Sequence, residues 1–162
     1  MSEAGPARRL IKLLRLKPHP EGGFYRETYR AAGRFPGKRF PGGRNYSTAI
    51  LFLLPRGEVS RLHRIKSDEV FHLYAGGPLF VEELDPASGR TRRIKLDSGK
   101  VQHVVKAGTW FGASLAPSAD FALAGCTVAP GFDFADFELG GKAALLRKYP
   151  AARKLIERLA HD

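Results

Sequence analysis

Residues 57–76 of the chain read GEVSRLHRIKSDEVFHLYAG, and four of them stand at a distinctive spacing. Five residues separate Gly57 from His63, and six separate Glu69 from Gly76. We expect one strand to end near His63 and the next to begin near Glu69. The short turn between them brings both side chains to one spot, where an imidazole and a carboxylate form either an acid–base pair or half of a metal site.

The sequence on both sides of this stretch is a series of short predicted strands. Gly and Pro turns separate them at spacings of about 8–12 residues, which is typical of an all-β sandwich or barrel. The predicted strands cover residues 24–30, 47–54, 59–65, 69–74, 79–84, 91–96, 102–105, 110–115 and 121–128. No linker divides the chain, so we expect a single domain over residues 1–162.

Helices are expected only near the two ends of the chain. A basic amphipathic helix is predicted over residues 6–17, and two more helical segments, 142–147 and 151–159, are predicted within residues 140–160. Between the first helix and the later strands, residues 32–44 contain two similar Arg-Phe-Pro-Gly segments. Their glycines and prolines predict a mobile basic loop.

Charge and composition restrict the classes of partner. The 162 residues include 27 Lys and Arg against 16 Asp and Glu, and the first 46 positions hold eleven of these bases and three of these acids. No nucleic-acid recognition motif accompanies this excess, so we expect no specific nucleic-acid partner and only weak, salt-sensitive binding. The lone Cys126 excludes an internal disulfide and favours a cytoplasmic location. No apolar run approaches the roughly 20 residues that a membrane span needs, so no membrane partner is expected.

Several blocks of sequence, taken in order, match one family. They are LKPHPEGGFYRETY (16–29), STAI (47–50), HRIKSDE (63–69), VKAGTW (105–110) and GCTVAPGFDFADF (125–137). The 57–76 spacing resembles the first motif of the cupin superfamily, and the blocks together resemble the small cupins of the type-five family. This resemblance implies a double-stranded β-helix (jelly roll) over residues 22–137 and a homodimer. It implies no reaction, because the family is defined by its fold.

Within the superfamily, this family is similar to the nucleotide-sugar epimerases, which remove a proton next to a carbonyl with a histidine base. The resemblance places that base at His63, and no residue clearly matches the partner aspartate and tyrosine of those enzymes. Metal-binding cupins have histidines where this chain has Ile65 and Phe111. A divalent metal would be left with His63 and Glu69, and with His72 as a weaker candidate. Because zinc-type sites use three or four ligands, we expect little or no bound metal.

Strand alternation ranks the residues around the predicted pocket. If Glu69 faces inward, Phe71 does too, whereas His72 faces outward. Of the neighbours Gln102 and His103 only one can face inward, and Gln102 is preferred. The predicted ligand-binding residues are Phe71, Gln102, Phe111, Trp110, Arg26 and Glu27. Glu21 is considered with the last two as a residue that closes the pocket.

Three other reactive residues, two histidines and a cysteine, are expected to be structural, exposed or inert. His19 lies between two prolines and His161 in the terminal tail, so both are expected to be structural or exposed to solvent. Cys126 lies in an apolar predicted strand, which favours an inert core thiol.

Two functions remain open at this point. One is an enzyme of isomerase or epimerase type that acts on a sugar or nucleotide sugar, independently of metal or with weak metal dependence, with His63 and Glu69 as catalytic residues. The other is binding of a small polar or anionic ligand without turnover. The apolar residues Ile65 and Phe111 fit a metal site that has been abandoned for a binding pocket.

Overall fold

The computed structural model describes residues 5–162. Within this range the strands are β1 (Lys17–Pro18), β2 (Phe24–Arg30), β3 (Arg34–Gly37), β4 (Phe40–Asn45), β5 (Thr48–Pro55), β6 (Ser60–Arg64), β7 (Asp68–Gly76), β8 (Leu79–Leu84), β9 (Thr91–Leu96), β10 (Gln102–Val105), β11 (Trp110–Leu115), β12 (Phe121–Ala129) and β13 (Glu138–Leu139). The helices are α1 (Pro6–Leu13), α2 (Lys142–Lys148) and α3 (Arg153–Leu159). None of these helices has the length and apolar character that crossing a membrane requires.

Two antiparallel sheets contain eleven of the thirteen described strands. The six-stranded sheet has the order β1-β2-β5-β12-β7-β10, and the five-stranded sheet has the order β13-β6-β11-β8-β9. From β5 to β8, consecutive strands alternate between the two sheets. This crossing from sheet to sheet is typical of a jelly roll, so the predicted all-β fold with short helices near the ends is confirmed.

The inner faces of the two sheets bury the main hydrophobic core. Side chains of a strand alternate between its faces, and β7 shows this clearly. Glu69 and Phe71 are buried there, whereas Val70 and His72 are only partly covered. Members of this core include Phe52, Leu54, Phe71, Leu79, Phe111 and Ala124.

The two C-terminal helices cover the outer face of the five-stranded sheet. Their apolar side chains form a second buried cluster with the sheet, which includes Leu62, Leu84, Trp110, Leu145, Leu155, Ile156 and Leu159. Glu82 of β8 is also buried on this face, where it accepts hydrogen bonds from Arg158 of α3 (2.8 Å) and from Ser114 (3.0 Å). Because helices of seven residues are unstable in isolation, packing on the sheet stabilises them.

Helix α1 ends at Leu13, earlier than the predicted end at residue 17. Arg15 has a positive φ of 54°, which takes the chain out of the helical conformation. Lys17 precedes Pro18, and a residue before proline avoids the helical region. Lys17 instead pairs with Tyr25 in the β1–β2 ladder.

The prediction of a mobile loop over residues 32–44 is wrong, because strands β3 and β4 form a hairpin there. The rings of Phe35 and Phe40 contact edge to face across it, with centroids 6.0 Å apart. Arg44 is buried and donates two hydrogen bonds to Asp136, at 2.7 and 2.8 Å. This partner lies 92 residues further along the chain, so the local excess of glycine and proline gave no sign of it.

We expect replacement of Arg44 by Met to lower the free energy of unfolding by about 2–3 kcal/mol, because it leaves the buried Asp136 carboxylate without its main partner. Arg56→Met is the matched control. Its pair with Asp120 is exposed on both sides (57% and 68%), so the expected loss is below about 1 kcal/mol. Urea denaturation of the two variants measures the difference, and equal losses would contradict a structural role for the Arg44–Asp136 pair.

Candidate functional site

A cavity of about 420 Å³ opens between the two sheets, beside the turn that joins β6 to β7. Its floor is formed by buried polar side chains from both sheets and from the turn before β2. Its mouth is formed by β1, β2 and residues 131–137, which we call the aromatic segment. The volume falls within the range of about 300–1,000 Å³ that is usual for small-molecule sites.

His63 and Glu69, the predicted pair, both line this cavity. His63 is 3% exposed and Glu69 8% exposed. They reach the cavity from opposite sides, because β6 and β7 belong to different sheets. The ring of Phe111 lies against His63, with centroids 4.1 Å apart. The catalytic role of the pair stays a prediction.

A third floor residue, Glu21, comes from the turn before β2. Gly22 in this turn has φ of +108°, and a Cβ atom there would lie 2.2 Å from the carbonyl oxygen of Val59. Only glycine allows the turn to approach β6 so closely. Glu21 accepts a hydrogen bond from Ser60 Oγ at 2.8 Å, and its Oε2 lies 3.0 Å from His63 Nε2. The turn therefore delivers a carboxyl group directly to the predicted histidine.

The hydrogen bonds of His63 locate its protons. Nδ1 lies 2.7 Å from the carbonyl oxygen of Arg61, and since a carbonyl can only accept, Nδ1 carries a hydrogen. Nε2 of a neutral imidazole then has only a lone pair to offer Glu21. Burial lowers the pKa of His63 and raises the pKa of Glu21, so the neutral arrangement is favoured. In that arrangement the Glu21 carboxyl holds the proton and donates it to His63 Nε2.

Glu69 is the floor residue with the most strongly shifted acidity. Burial is the main cause that raises the pKa of Glu69 to about 7, and Glu21 adds to the rise when its carboxyl is ionised, although His63 and the Cys126 thiol act in the opposite direction. Burial likewise raises the pKa of Cys126 well above its usual value. Cys126 is therefore a protonated thiol. It is buried as predicted but also lines the cavity, and its inertness stays a prediction. Glu69, with a pKa near neutral pH, can gain or lose a proton there.

His19 also lines the cavity, and it is buried there and not exposed to solvent. The backbone N–H of Glu21 donates to His19 Nδ1 at 3.2 Å, which makes that nitrogen an acceptor and the imidazole neutral. Burial lowers the pKa of His19 in agreement with this state. Its ring packs edge to face on Tyr25, with centroids 4.5 Å apart. The two flanking prolines concealed this packing, because they indicate only a turn. His161 is exposed, as expected.

The mouth of the cavity combines charged and aromatic side chains. Glu27 lines it, as predicted, and accepts two hydrogen bonds from Arg30, at 2.9 and 2.7 Å. Arg30 also donates to the carbonyl oxygen of Phe132 at 3.1 Å, which fixes the aromatic segment against β2. Arg26 does not line the cavity. It lies between Tyr25 and Glu27 on β2, so its side chain faces the other side of the sheet.

The assignment of Gln102 to the pocket wall is wrong, and so is that of His72 to a metal site. Strand β10 pairs Gln102 with His72 and His103 with Phe71, so His103 and not Gln102 shares the inner face. Gln102 is exposed and its Nε2 lies 2.8 Å from His72 Nδ1. His103 is held inward by a contact between its Nε2 and the buried Glu83 carboxyl group, a partner that local alternation cannot reveal.

The three aromatic residues predicted to line the pocket do not line the cavity. Phe71 and Phe111 belong to the buried core, 6.1 Å apart, with Phe111 supporting the His63 ring from behind. Trp110 packs with the C-terminal helices, and the Arg64 guanidinium lies 4.5 Å from its ring centroid. The cavity walls are instead built by Tyr25, Phe52, Phe132 and Phe134.

Sequence reasoning left Lys17, His19 and Arg30 out of the predicted site and considered Glu21 only as a residue that closes the pocket. A polar cluster around the Gly22–Gly23 turn, directly before an aromatic strand, is the signal that could have placed Lys17, His19 and Glu21 at the cavity. Arg30 carries no such signal, because its role depends on the later aromatic segment.

The donor set of the cavity does not fit a metal centre. Two positions at which metal-binding cupins have histidines carry Ile65 and Phe111, and both nitrogens of His63 have protein partners. Across residues 5–162, no group of three or more His, Cys, Asp and Glu side chains is arranged to hold a metal ion. The floor is better suited to proton transfer between its own carboxyl and imidazole groups.

A jelly roll with a histidine and a glutamate converging between its sheets defines a cupin. The family described as "Cupin superfamily (DUF985)" matches residues 8–140, and the chain belongs to this family. No match is found among curated proteins. The similarity to nucleotide-sugar epimerases stays a prediction.

Solved structures agree with this assignment. A hypothetical protein from Leishmania major is 33% identical, with a TM-score of 0.90 over 96% of this chain and 99% of that chain. A protein from Shewanella oneidensis is 37% identical, with a TM-score of 0.86 over 96% of this chain and 97% of that chain. Oxalate decarboxylase from Bacillus subtilis is 16% identical, with a TM-score of 0.56 over 88% of this chain and 36% of that chain, a likeness of fold alone.

The raised pKa of Glu69 makes the stability of the protein depend on pH. Below pH 4.5 the carboxyl is protonated in both the folded and the unfolded chain. Between pH 4.5 and about 7 the unfolded chain loses this proton while the folded chain keeps it, so stability falls as pH rises. The loss attributable to Glu69 is on the order of 3 kcal/mol at pH 8.

We expect the Glu69→Gln variant to lack this loss, so its stability relative to the wild type should rise from pH 4.5 to pH 8. Urea denaturation at several pH values measures it. Glu157→Gln, at a half-exposed position on α3, is the control and should follow the wild-type profile. Parallel profiles for Glu69→Gln and the wild type would show that Glu69 ionises normally.

Proposed function

We propose that this cupin binds a small polar molecule in the cavity and catalyses proton transfer on it, as an isomerase or epimerase does. The proposal rests on one observation above all. Glu21, His63 and Glu69 are brought together at the buried floor of a cavity of about 420 Å³, and burial shifts the pKa of all three. A group whose pKa lies near the working pH serves well as a general acid or base.

Glu69 is the best-placed base on the floor. Both nitrogens of His63 are engaged, one with Arg61 and one with Glu21, so neither is free to take a proton from carbon. The Glu21–His63 pair instead holds one proton that it can donate. Glu69 takes a proton from a carbon next to a carbonyl, and the electron pair of the C–H bond forms a C=C bond. The Glu21–His63 pair gives its proton to the carbonyl oxygen. Return of the proton from Glu69 to the opposite face of the same carbon, after the enol has turned in the cavity, completes an epimerisation. Its return to the former carbonyl carbon completes an isomerisation. In both cases a hydroxyl proton of the enol goes back to the Glu21–His63 pair.

Binding of a small polar or anionic ligand without turnover is the alternative function. The observation that favours it is the apolar character of Ile65 and Phe111, at positions where many cupins hold a metal. In this case the same floor groups act as hydrogen-bond partners and not as acid and base. The two functions differ in whether hydrogen on a bound compound exchanges with solvent.

Deuterium exchange separates these functions. The purified protein is incubated in D₂O with a panel of aldoses, ketoses and 2-oxo acids, and exchange next to the carbonyl is followed by proton NMR. We expect Glu69→Gln and His63→Asn to slow exchange by about 10²- to 10⁴-fold, the usual contribution of a general acid or base. His161→Asn, in the exposed tail, serves as the control and should keep the wild-type rate.

Thermal unfolding of each variant confirms that the fold is retained. Exchange that proceeds at the wild-type rate in both site variants would contradict proton transfer by this floor. Binding of a panel compound without any exchange in the wild-type protein would favour the alternative function.

We also propose the homodimer that the family resemblance implies. Exposed apolar side chains on the outer face of the six-stranded sheet support it, since Tyr29, Tyr74 and Val104 are 56%, 60% and 40% exposed. We expect light scattering to give twice the chain mass of 17.8 kDa, and Tyr74→Glu to weaken the dimer. A monomer at high protein concentration would contradict this. The cytoplasmic location stays a prediction.

A further inference from the structure

Two cations line the mouth of the cavity, and their surroundings differ. Arg30 makes four hydrogen bonds, since it donates to both oxygens of Glu27, to Asn45 Oδ1 at 3.0 Å and to the carbonyl oxygen of Phe132 at 3.1 Å. The charge of Asp133 also acts on Arg30. Of the two mouth carboxylates, Glu27 is therefore paired with Arg30, whereas Asp133 accepts a hydrogen bond from the Ala135 N–H at 2.8 Å. Arg30 is a structural residue of the wall.

Lys17 has no such partner. Within residues 5–162, no carboxylate oxygen lies within 4.0 Å of its ammonium group, whereas Arg30, the other cation of the mouth, is paired with Glu27. The ammonium lies 5.2 Å from the ring centroid of Tyr25, which itself lines the cavity. Backbone pairing between β1 and β2 holds Lys17 beside Tyr25. Its three N–H donors are therefore available at the cavity mouth.

The floor disfavours an anion. Glu21 and Glu69 are both buried there, and each already resists ionisation because of that burial. The charge of a carboxylate or phosphate placed beside them would meet the same desolvation penalty, which is large for a buried charge without a partner. An anionic ligand is consequently stable in this cavity only with its charge directed outward.

The wall between mouth and floor is aromatic. Phe132 and Phe134 pack edge to face with centroids 4.9 Å apart, and Phe134 is 50% exposed. Tyr25 lines the cavity next to Lys17. Aromatic rings of this kind suit the apolar or planar body of a small ring compound.

We propose that the cavity takes a small organic anion, a carboxylate or a phosphate ester built on an uncharged ring, with its charged group at Lys17 and its ring directed to the floor at His63 and Glu69. This inference rests on the proposed function and specifies the ligand class and its orientation. It assigns Lys17 as the anion-binding residue of the site.

Four simple ring compounds test this assignment. Benzoate and phenyl phosphate are the two anionic probes and distinguish carboxylate from phosphate, benzamide is neutral, and benzylamine is cationic. Dissociation constants are measured by NMR titration at low ionic strength. We expect at least one anionic probe to bind roughly tenfold or more tightly than benzamide, as a hydrogen bond to a charged partner allows. Lys17→Met should remove that preference, and Lys17→Arg should retain most of it.

Lys12→Met is the matched control, because it removes the same charge from an exposed position on α1 that does not line the cavity. It should leave the preference unchanged. Orientation is read from intermolecular NOEs, and we expect the para proton of benzoate to contact the methyl groups of Ile65 and Val128 on the floor.

Several results would overturn the proposal. They are equal affinity for benzoate, phenyl phosphate and benzamide, tighter binding of benzylamine, absence of binding by all four probes, or an equal effect of Lys12→Met and Lys17→Met. Deuterium exchange that depends on Glu69 would stand in each of these cases. Failure of the ligand class is therefore distinguishable from failure of proton transfer.

Discussion

The Glu21 carboxyl and the His63 imidazole lie 3.0 Å apart in the interior, and one proton serves both. A charge at this depth without a partner would cost several kcal/mol, so their positions have to match closely. Three features of the chain maintain the match. Gly22 lets the turn approach β6. The Ser60 hydroxyl donates a hydrogen bond to the second oxygen of Glu21, and the Arg61 carbonyl oxygen accepts one from Nδ1 of His63.

Hydrogen bonds around the cavity mouth hold the aromatic segment in place over the buried floor. The aromatic segment is tied to β2 by Arg30, to β5 by Thr48, whose hydroxyl accepts from the Phe132 N–H, and to the β3–β4 hairpin by Arg44. These bonds come from charged and polar residues that are far apart in the sequence. They hold the wall residues Phe132 and Phe134 in place with almost no regular secondary structure. A low effective dielectric at the floor, and hence the raised pKa of Glu69, depends on that closure.

The alternation of side chains along a strand predicted their faces correctly where the strand is long. Alternation along β7 placed Glu69 inward and His72 outward, because nine residues of one strand leave little doubt about the face of each. Strand β10 has only four residues, and its inward side chain is determined by the contact of His103 with Glu83 on the other sheet. Arg44 and Asp136 likewise required the folded chain, and so did Glu21, whose importance comes from contacts across the turn. The sequence alone could identify the jelly roll and two floor residues, but not the partners that surround them.

The aromatic segment has a consequence for how the cavity forms during folding. Floor residues 21, 63 and 69 are synthesised early, whereas the wall at residues 132–134 follows more than sixty positions later. Closing a loop of that length costs entropy before its contacts can compensate, and during synthesis the wall residues become available only after residues 21, 63 and 69. An incomplete chain would expose the carboxyl and imidazole groups to water and leave them with ordinary acidity. The reactive character of the site is therefore a property of the completed fold, absent from any partly folded or nascent chain.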